Sequence, residues 1–359
     1  QVLSSAPIKT PIGYNNYMSK EIILTGLRVN SDFTLGNYFG GIAPIVSMAT
    51  KHAGEYQINM FIPDLHTITV EVDYANLQNA IMSGLKDFVA AGLPIDHDDV
   101  FLYRQSRIPA HSELAWIFEC FTGFGEASRM VEFKDKSAQI GVDRVSAGLF
   151  NYPMLMAADI LLYGARWVPV GDDQRQHIEL TRTLAQRFNN KFGELFVVPE
   201  ETKKQAHFIG QAEPLRIRSF RNPDKKMSKS IDDPVGTILL TDNPDDAAKK
   251  VLSATTDSVG LINYDWQTQP GLANLLQLFA LLSGKTQEEV NLEWVGQTQY
   301  GPLKNAVADL VKEFLIRHQK LRNDVDESII NYKLLQSEQA LVPTVNKRLY
   351  KVQKAVGLR

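Results

Sequence analysis

The feature that most constrains this chain is a change of hydrophobic rhythm near residue 250. Before it, apolar runs of strand length alternate with amphipathic stretches, which is the pattern of parallel βαβ units. Ile22-Ile23-Leu24, Ile58-Asn59-Met60-Phe61-Ile62 and Val100-Phe101-Leu102-Tyr103 read as three strands, and Trp167-Val168-Pro169-Val170 as a fourth. One helix is expected to start near Leu35. Another follows from Leu77, Ile81, Leu85 and Val89 and stops around Gly92-Leu93-Pro94. A third leaves Gly171-Asp172-Asp173 with Ile178, Thr181, Leu184 and Phe188 on one side. Beyond residue 250 the strand pattern ends. Leu303, Val307, Leu310, Phe314 and Leu321 make one helical stripe, and Val345, Leu349, Val352 and Val356 another. The expected class is α/β, with a parallel sheet followed by a helical unit.

At 359 residues the chain can bury a large core in one or two domains. No internal repeat is visible, and no apolar run approaches the roughly 20 residues that span a bilayer. The first 20 residues lack the apolar block of a signal peptide, and Gln1 is no initiator. The expectation is that an upstream piece has been removed, with Met18 a candidate native start. The lone Cys120 can build neither a disulfide framework nor a zinc site, which suits a reducing cytoplasm. Set in Trp116-Ile117-Phe118-Glu119-Cys120-Phe121, it is expected to be a buried structural thiol. A net charge of −3 makes any nucleic-acid surface a local patch. The last 20 residues hold Lys347, Arg348, Lys351, Lys354 and Arg359 and no acid. They read equally as a solvated helix face or as a strip facing phosphates.

Two elements suit a phosphate. Around Thr34-Leu35-Gly36-Asn37 a glycine at a helix start lets backbone approach a ligand, and the helix N-terminus favours an anion. Gly36, Gly40 and Gly41 do not have the dinucleotide-binding spacing, and no P-loop lysine follows, so a packing glycine is an equal reading. In Lys226-Met227-Ser228-Lys229-Ser230, two lysines three apart flanked by serines offer mobile donors for a pyrophosphate whose charge builds during reaction. Asp159 sits inside the apolar run Met156-Ala157-Ala158-Asp159-Ile160-Leu161-Leu162, where an acid is costly to bury without a partner. On residue chemistry alone it caps or ion-pairs a core helix. Asp96-His97-Asp98-Asp99 reads as a surface turn. Asp172 and Asp173 are adjacent and diverge on a helix, so no metal is assigned to either cluster.

Four ordered motifs resemble the class I aminoacyl-tRNA synthetases, in their tryptophan-specific form. Lys226-Met227-Ser228-Lys229-Ser230 is similar to the second signature of the class, and Thr34-Leu35-Gly36-Asn37 to the first. Gly148-Leu149-Phe150-Asn151-Tyr152-Pro153 with Met156 to Leu162, and Val168-Pro169-Val170-Gly171-Asp172-Asp173-Gln174-Arg175-Gln176-His177, resemble two further blocks. The likeness runs from about residue 21 to the C-terminus. It implies a 1–20 extension, a Rossmann-like catalytic domain over 21–250, a helical anticodon-binding domain over 251–359, and a cytoplasmic homodimer acting on tRNA(Trp). It further implies tryptophan and ATP as substrates, with Mg²⁺ carried on ATP.

By the same resemblance, Met156, Asp159 and Ile160 match the side-chain pocket, with Asp159 receiving the indole N–H. Tyr152 and Gln174 match residues near the amino group, and His66 an active-site position. Gly171 and Asp173 match ribose contacts, and Val170 lies beside the adenine. Thr34, Gly36 and Asn37 match the phosphate side, as do Lys226, Met227, Ser228 and Lys229, with Lys136 in a second lysine loop. A buried acceptor would suit the assigned chemistry, because amino acids lacking the N–H donor would strand it. One departure stands out. The loop Gly26-Leu27-Arg28-Val29-Asn30-Ser31 lacks the turn proline and second glycine of the bacterial pattern, leaving Arg28 as a donor for phosphate or carboxylate. Rival readings are the tyrosine enzyme of the same fold and a non-catalytic RNA-binding paralogue.

Overall fold

A computed structural model describes residues 20–29, 32–131, 133–134, 145–171, 174–209, 215–227 and 233–359. Three strands form a parallel sheet: β1 (Ile22–Gly26), β2 (Gln57–Ile62) and β3 (Val100–Arg104), with β2 in the centre. Ile23 pairs with Ile58, and Ile58 with Val100. Every residue of β2 is buried, as expected of a parallel strand covered on both faces. Around the sheet run α1 (Leu35–Asn37), continued by a π turn (Tyr38–Ile42) into α2 (Ala43–His52), and α3 (Asp64–Thr67) and α4 (Leu77–Ala90). They are followed by α5 (Ala110–Cys120), α6 (Ala147–Leu161) and α7 (Arg175–Phe192).

The helical third holds α8 (Pro244–Leu252), α9 (Pro270–Ser283), α10 (Tyr300–Asn323) and α11 (Glu327–Ala355). Side chains of the sheet alternate between two apolar cores. Ile23, Ile58, Met60 and Leu102 join one core with Val251, Leu303 and Val307, while Leu24, Phe61, Phe101 and Tyr103 join the other with Ile160, Ile178 and Phe188. The first core therefore extends across residue 250, which itself lies inside α8. Helix α11 contributes Ile330 and Leu334 to the first core and Leu341, Val345 and Leu349 to the second. In crossing from one to the other it covers the open edge of β3. The backbone N–H of Leu102 donates to Ser337 Oγ at 3.0 Å and that of Arg104 to Glu338 Oε1 at 3.1 Å. Side chains thus satisfy groups that a bare edge would leave for another strand.

Four expectations need correction. Trp167 to Val170 is not a strand but a single parallel bridge, Trp167 to Ile23. Trp167 N–H donates to the Ile22 carbonyl at 3.1 Å and its carbonyl accepts from Leu24 N at 2.8 Å, but the next residue facing β1 is Pro169, which has no N–H, so the ladder cannot continue. Cys120 is exposed at the end of α5, because the buried face of that helix carries Leu114, Ile117 and Phe118 instead. In the α10 stripe, Leu303, Val307 and Phe314 are buried but Leu321 is 47% exposed. In the basic strip, Arg348 is turned inward: its Nη1 donates to the carbonyls of Leu161 and Leu162 at 3.1 and 2.9 Å, closing the end of α6. Lys347, Lys351, Lys354 and Arg359 remain exposed. At the Asp96–Asp99 turn, Asp99 is buried and accepts from Lys20 Nζ at 2.6 Å. Among the described residues no helix is long and apolar enough to cross a membrane.

Candidate active site

The loop after β1 carries the departure from the bacterial pattern, and packing accounts for Val29 in it. Val29 is buried against Gly84 of α4, where an added Cβ would stand 2.7 Å from the valine Cβ. Only glycine leaves room there. The loop thus gains an apolar anchor where a turn proline would otherwise stiffen it. Arg28 stays exposed beside it.

Thr34 then starts α1 with a capping box. Its Oγ1 accepts from Asn37 N at 3.0 Å, while Asn37 Oδ1 accepts from Thr34 N and from the threonine hydroxyl, both at 2.9 Å. Thr34 is fully buried and Asn37 exposed, so the threonine orients the asparagine rather than reaching outward itself. Gly36 lies directly against Met227, 191 residues further on. Gly36, Asn37, Gly40, Gly41, Leu215, Arg216, Ile217, Lys226 and Met227 line one cleft of about 220 Å³. A Cβ at Gly40 would be 3.0 Å from the Leu215 carbonyl, so the two walls approach as backbone.

The lysine loop is held from behind. Met227 is buried in the core, and its N–H donates to the Ile217 carbonyl at 2.9 Å. Lys226 bridges Arg218 across this turn. Asn274 of α9, itself buried, accepts from Arg218 N at 2.9 Å and donates to Arg218 O at 3.1 Å. Ser219 donates to Asp233 Oδ2 at 2.5 Å and accepts from Arg221 N and Asn222 N. A rigid base thereby presents an exposed Lys226 and an exposed Arg216 to the cleft. Arg216 carries no motif and was not singled out in the sequence.

The second cluster lies at the carboxyl ends of β2 and β3, the usual ligand position in an open α/β sheet. Asp159 in α6 is fully buried. Its Oδ1 accepts from His111 Nδ1 at 2.5 Å and from Gln105 Nε2 at 2.8 Å; its Oδ2 accepts from His66 Nε2 and Gln105 Nε2, both at 2.9 Å. Burial alone would raise its pKa. The hydrogen bonds and charges of His111 and His66 outweigh burial and bring it down to about 2. The carboxyl is therefore ionised at neutral pH. Gln105 and His111 are fully buried and were missed in the sequence, where neither belongs to a periodic or charged pattern. Gln105 follows β3 immediately, and His111 opens α5 after Pro109.

One turn earlier in α6, Met156 is half-buried, and Tyr152 packs edge-on to His66 with ring centres 5.9 Å apart. Tyr152 OH lies 2.5 Å from His177 Nε2. Ile160 is sunk in the second core at 1% exposure, beside this face rather than on it. Gly171 is exposed and its carbonyl accepts from Gln174 N at 2.9 Å; Val170 is half-buried. Lys136, Asp173, Ser228 and Lys229, with Asn30 and Ser31, lie outside the described residues. Among the described residues no group of three or more His, Cys, Asp or Glu side chains could hold a metal ion.

The family description "tRNA synthetases class I (W and Y)" matches residues 18–316. A tryptophan--tRNA ligase of Corynebacterium glutamicum is 47% identical over 293 residues, covering 81% of each chain. That of Caldanaerobacter subterraneus is 40% identical and covers 94% of this chain and 98% of its own. This chain belongs to the class I tRNA synthetases, among the tryptophan--tRNA ligases. The tryptophanyl-tRNA synthetase of Mycoplasma pneumoniae superposes with a TM-score of 0.77 at 30% identity, over 95% of this chain and 98% of that one. The Campylobacter jejuni synthetase, solved with ADP and tryptophan, gives a TM-score of 0.74 at 30% identity, over 94% and 100%. Membership makes the chain a synthetase with the Rossmann-like fold, and decides against the tyrosine and non-catalytic readings.

Proposed function

We propose that this chain joins tryptophan to ATP as tryptophanyl-adenylate, with release of pyrophosphate, and passes the tryptophanyl group to the 3′-terminal ribose of tRNA(Trp). One observation carries the assignment of roles. Two signatures far apart in sequence line a single cleft, Gly36 and Asn37 from one and Lys226 and Met227 from the other, in a chain that also buries Asp159. The tryptophan carboxylate attacks the α-phosphorus in line, so no protein nucleophile is needed and the chain supplies position and charge. Asn37, Lys226 and Arg216 stand at the phosphates, where Lys229, Ser228 and Lys136 would join them. Arg28 donates to phosphate or carboxylate, and Val170, Gly171 and Asp173 hold the nucleoside.

Asp159 accepts the indole N–H, Met156 bounds the ring with Ile160 backing it from the core, and Tyr152, Gln174 and His66 face the amino acid. Mg²⁺ arrives on ATP as part of that substrate, held mainly by phosphates. The part beyond 250 serves the anticodon side of tRNA, with the exposed Lys347, Lys351 and Lys354 a turn apart on α11 suited to phosphates. A homodimer in the cytoplasm completes the reading. It is supported by outward aromatic surface at Trp116 (66% exposed) and Phe124 (77% exposed), the latter stacked on Phe150. The test is ATP–pyrophosphate exchange with tryptophan, with tyrosine, and with neither. Exchange with tryptophan alone is expected, and exchange with tyrosine at a comparable rate would overturn the substrate assignment.

A further inference from the structure

A carboxylate offers about four acceptor sites, and those of Asp159 are already taken. Each oxygen receives two short contacts from the three donors His66, Gln105 and His111. An indole N–H can bond to Asp159 only if one donor leaves. The three are not equally free to do so.

Gln105 is fully buried, and while its Nε2 serves Asp159 its Oε1 accepts from Leu65 N at 3.1 Å. Moving it would strand a backbone donor as well as the carboxylate. His111 is fully buried too, and its Nε2 lies 2.8 Å from Tyr163 OH, so the ring is gripped at both nitrogens. Because a carboxylate only accepts, Nδ1 must carry the proton, and the tyrosine contact holds the ring in that orientation. His66 differs on every count. It lies on the four-residue helix α3, its side chain is 19% exposed, and the contact to Asp159 is its only polar side-chain contact among the described residues. Its backbone is pinned: the carbonyl accepts from Thr69 Oγ1 at 2.7 Å, and neighbouring Leu65 N is fixed on Gln105. The imidazole can swing on its own Cα without moving the helix.

We propose that His66 holds the indole site closed in the absence of amino acid and is displaced from Asp159 Oδ2 by the tryptophan N–H, while Gln105 and His111 stay as fixed positioning residues. This rests on Asp159 being the indole acceptor. Selection is then an exchange of one donor for another. Tryptophan returns the hydrogen bond that it removes, whereas phenylalanine enters only by leaving Oδ2 short of a donor. The carboxylate never stands bare, and the cost of stranding it falls on the wrong amino acid.

The experiment combines imidazole ¹⁵N spectra of the full-length protein with exchange kinetics. Saturating tryptophan should shift the His66 Nε2 signal and leave His111 Nδ1 in place, and saturating phenylalanine should not reproduce that pattern. His66→Ala should keep the ratio of tryptophan to phenylalanine kcat/KM within about 3-fold, whatever change it makes in the affinity for either amino acid. His111→Ala should lower that ratio about 10-fold or more, and His111→Asn, which restores a donor, should recover most of it. If His111→Ala fails to fold, Gln105→Ala with Gln105→Asn as its rescue takes its place. An unmoved His66 signal, or a collapse of the ratio in His66→Ala, overturns the exchange. Asp159→Ala separates the two levels: a ratio unchanged there means that Asp159 is not the indole acceptor at all.

Discussion

Lys226 and Lys229 belong to one signature, and both are assigned to the charge that builds on the departing pyrophosphate. Lys226 projects from a turn fixed by Ile217, Arg218 and Asn274. Lys226→Ala should slow adenylate formation by about 10²–10³-fold, the usual loss for one well-placed donor to developing charge. Lys229→Ala should do the same, and in both variants tryptophan affinity measured by calorimetry should hold; a parallel loss of affinity would refute a role on the leaving group. Arg216→Ala is expected to act in the same direction, since it lines the same cleft. At this level the sequence was partly legible. Asp159 and Lys226 declared themselves because a charge in an apolar run, or a doublet in a polar loop, violates its surroundings. Gln105, His111 and Arg216 did not, because their meaning lies in atoms contributed by segments tens to hundreds of residues away. Thr34 was legible as a candidate, but the task that its hydrogen bonds reveal is to cap α1 and orient Asn37.

Strands and helices were legible where one periodicity ruled, as in β2, α4 and α7. They were not where the next donor was missing, as when Pro169 ended the pairing that Trp167 begins on β1. The helix covering β3 shows how much a neighbour carries. Glu338 grips Arg104 through Nε at 2.7 Å and Nη2 at 2.9 Å, and receives the Arg104 backbone N–H besides. Its side chain is 8% exposed. Glu338→Ala should therefore cost about 3 kcal/mol, the lower end for breaking a buried pair from one side, read as a lower urea midpoint. Because Arg104 precedes Gln105, Glu338→Ala should also raise the KM for tryptophan. Arg348→Met should cost about 1–3 kcal/mol by uncovering two helix-end carbonyls, whereas Lys351→Met, on the exposed face, should leave the midpoint where it is.

Across the molecule, two cores back one sheet, and the ionised Asp159 sits where one of them meets the site. Its folded pKa of about 2 lies below the ordinary value near 3.9. The stability it confers is complete above the unfolded value and is lost as pH falls through about 2. Urea midpoints at pH 5, 3 and 2 should fall less steeply in Asp159→Asn than in wild type; identical slopes would mean that the carboxyl is not held down. The proposed homodimer is tested at the same scale. Phe124→Asp should shift the mass in sedimentation from two chains toward one, and an unaltered mass would remove Phe124 from the interface. The order of synthesis adds a final consequence. The donors of β3 are satisfied by residues made some 235 positions later. Until Ser337 and Glu338 leave the ribosome, the sheet has an open edge able to recruit strands from other nascent chains. A chain cut before Glu327 should therefore precipitate rather than fold, making the last helix a safeguard against aggregation as well as a cover for β3.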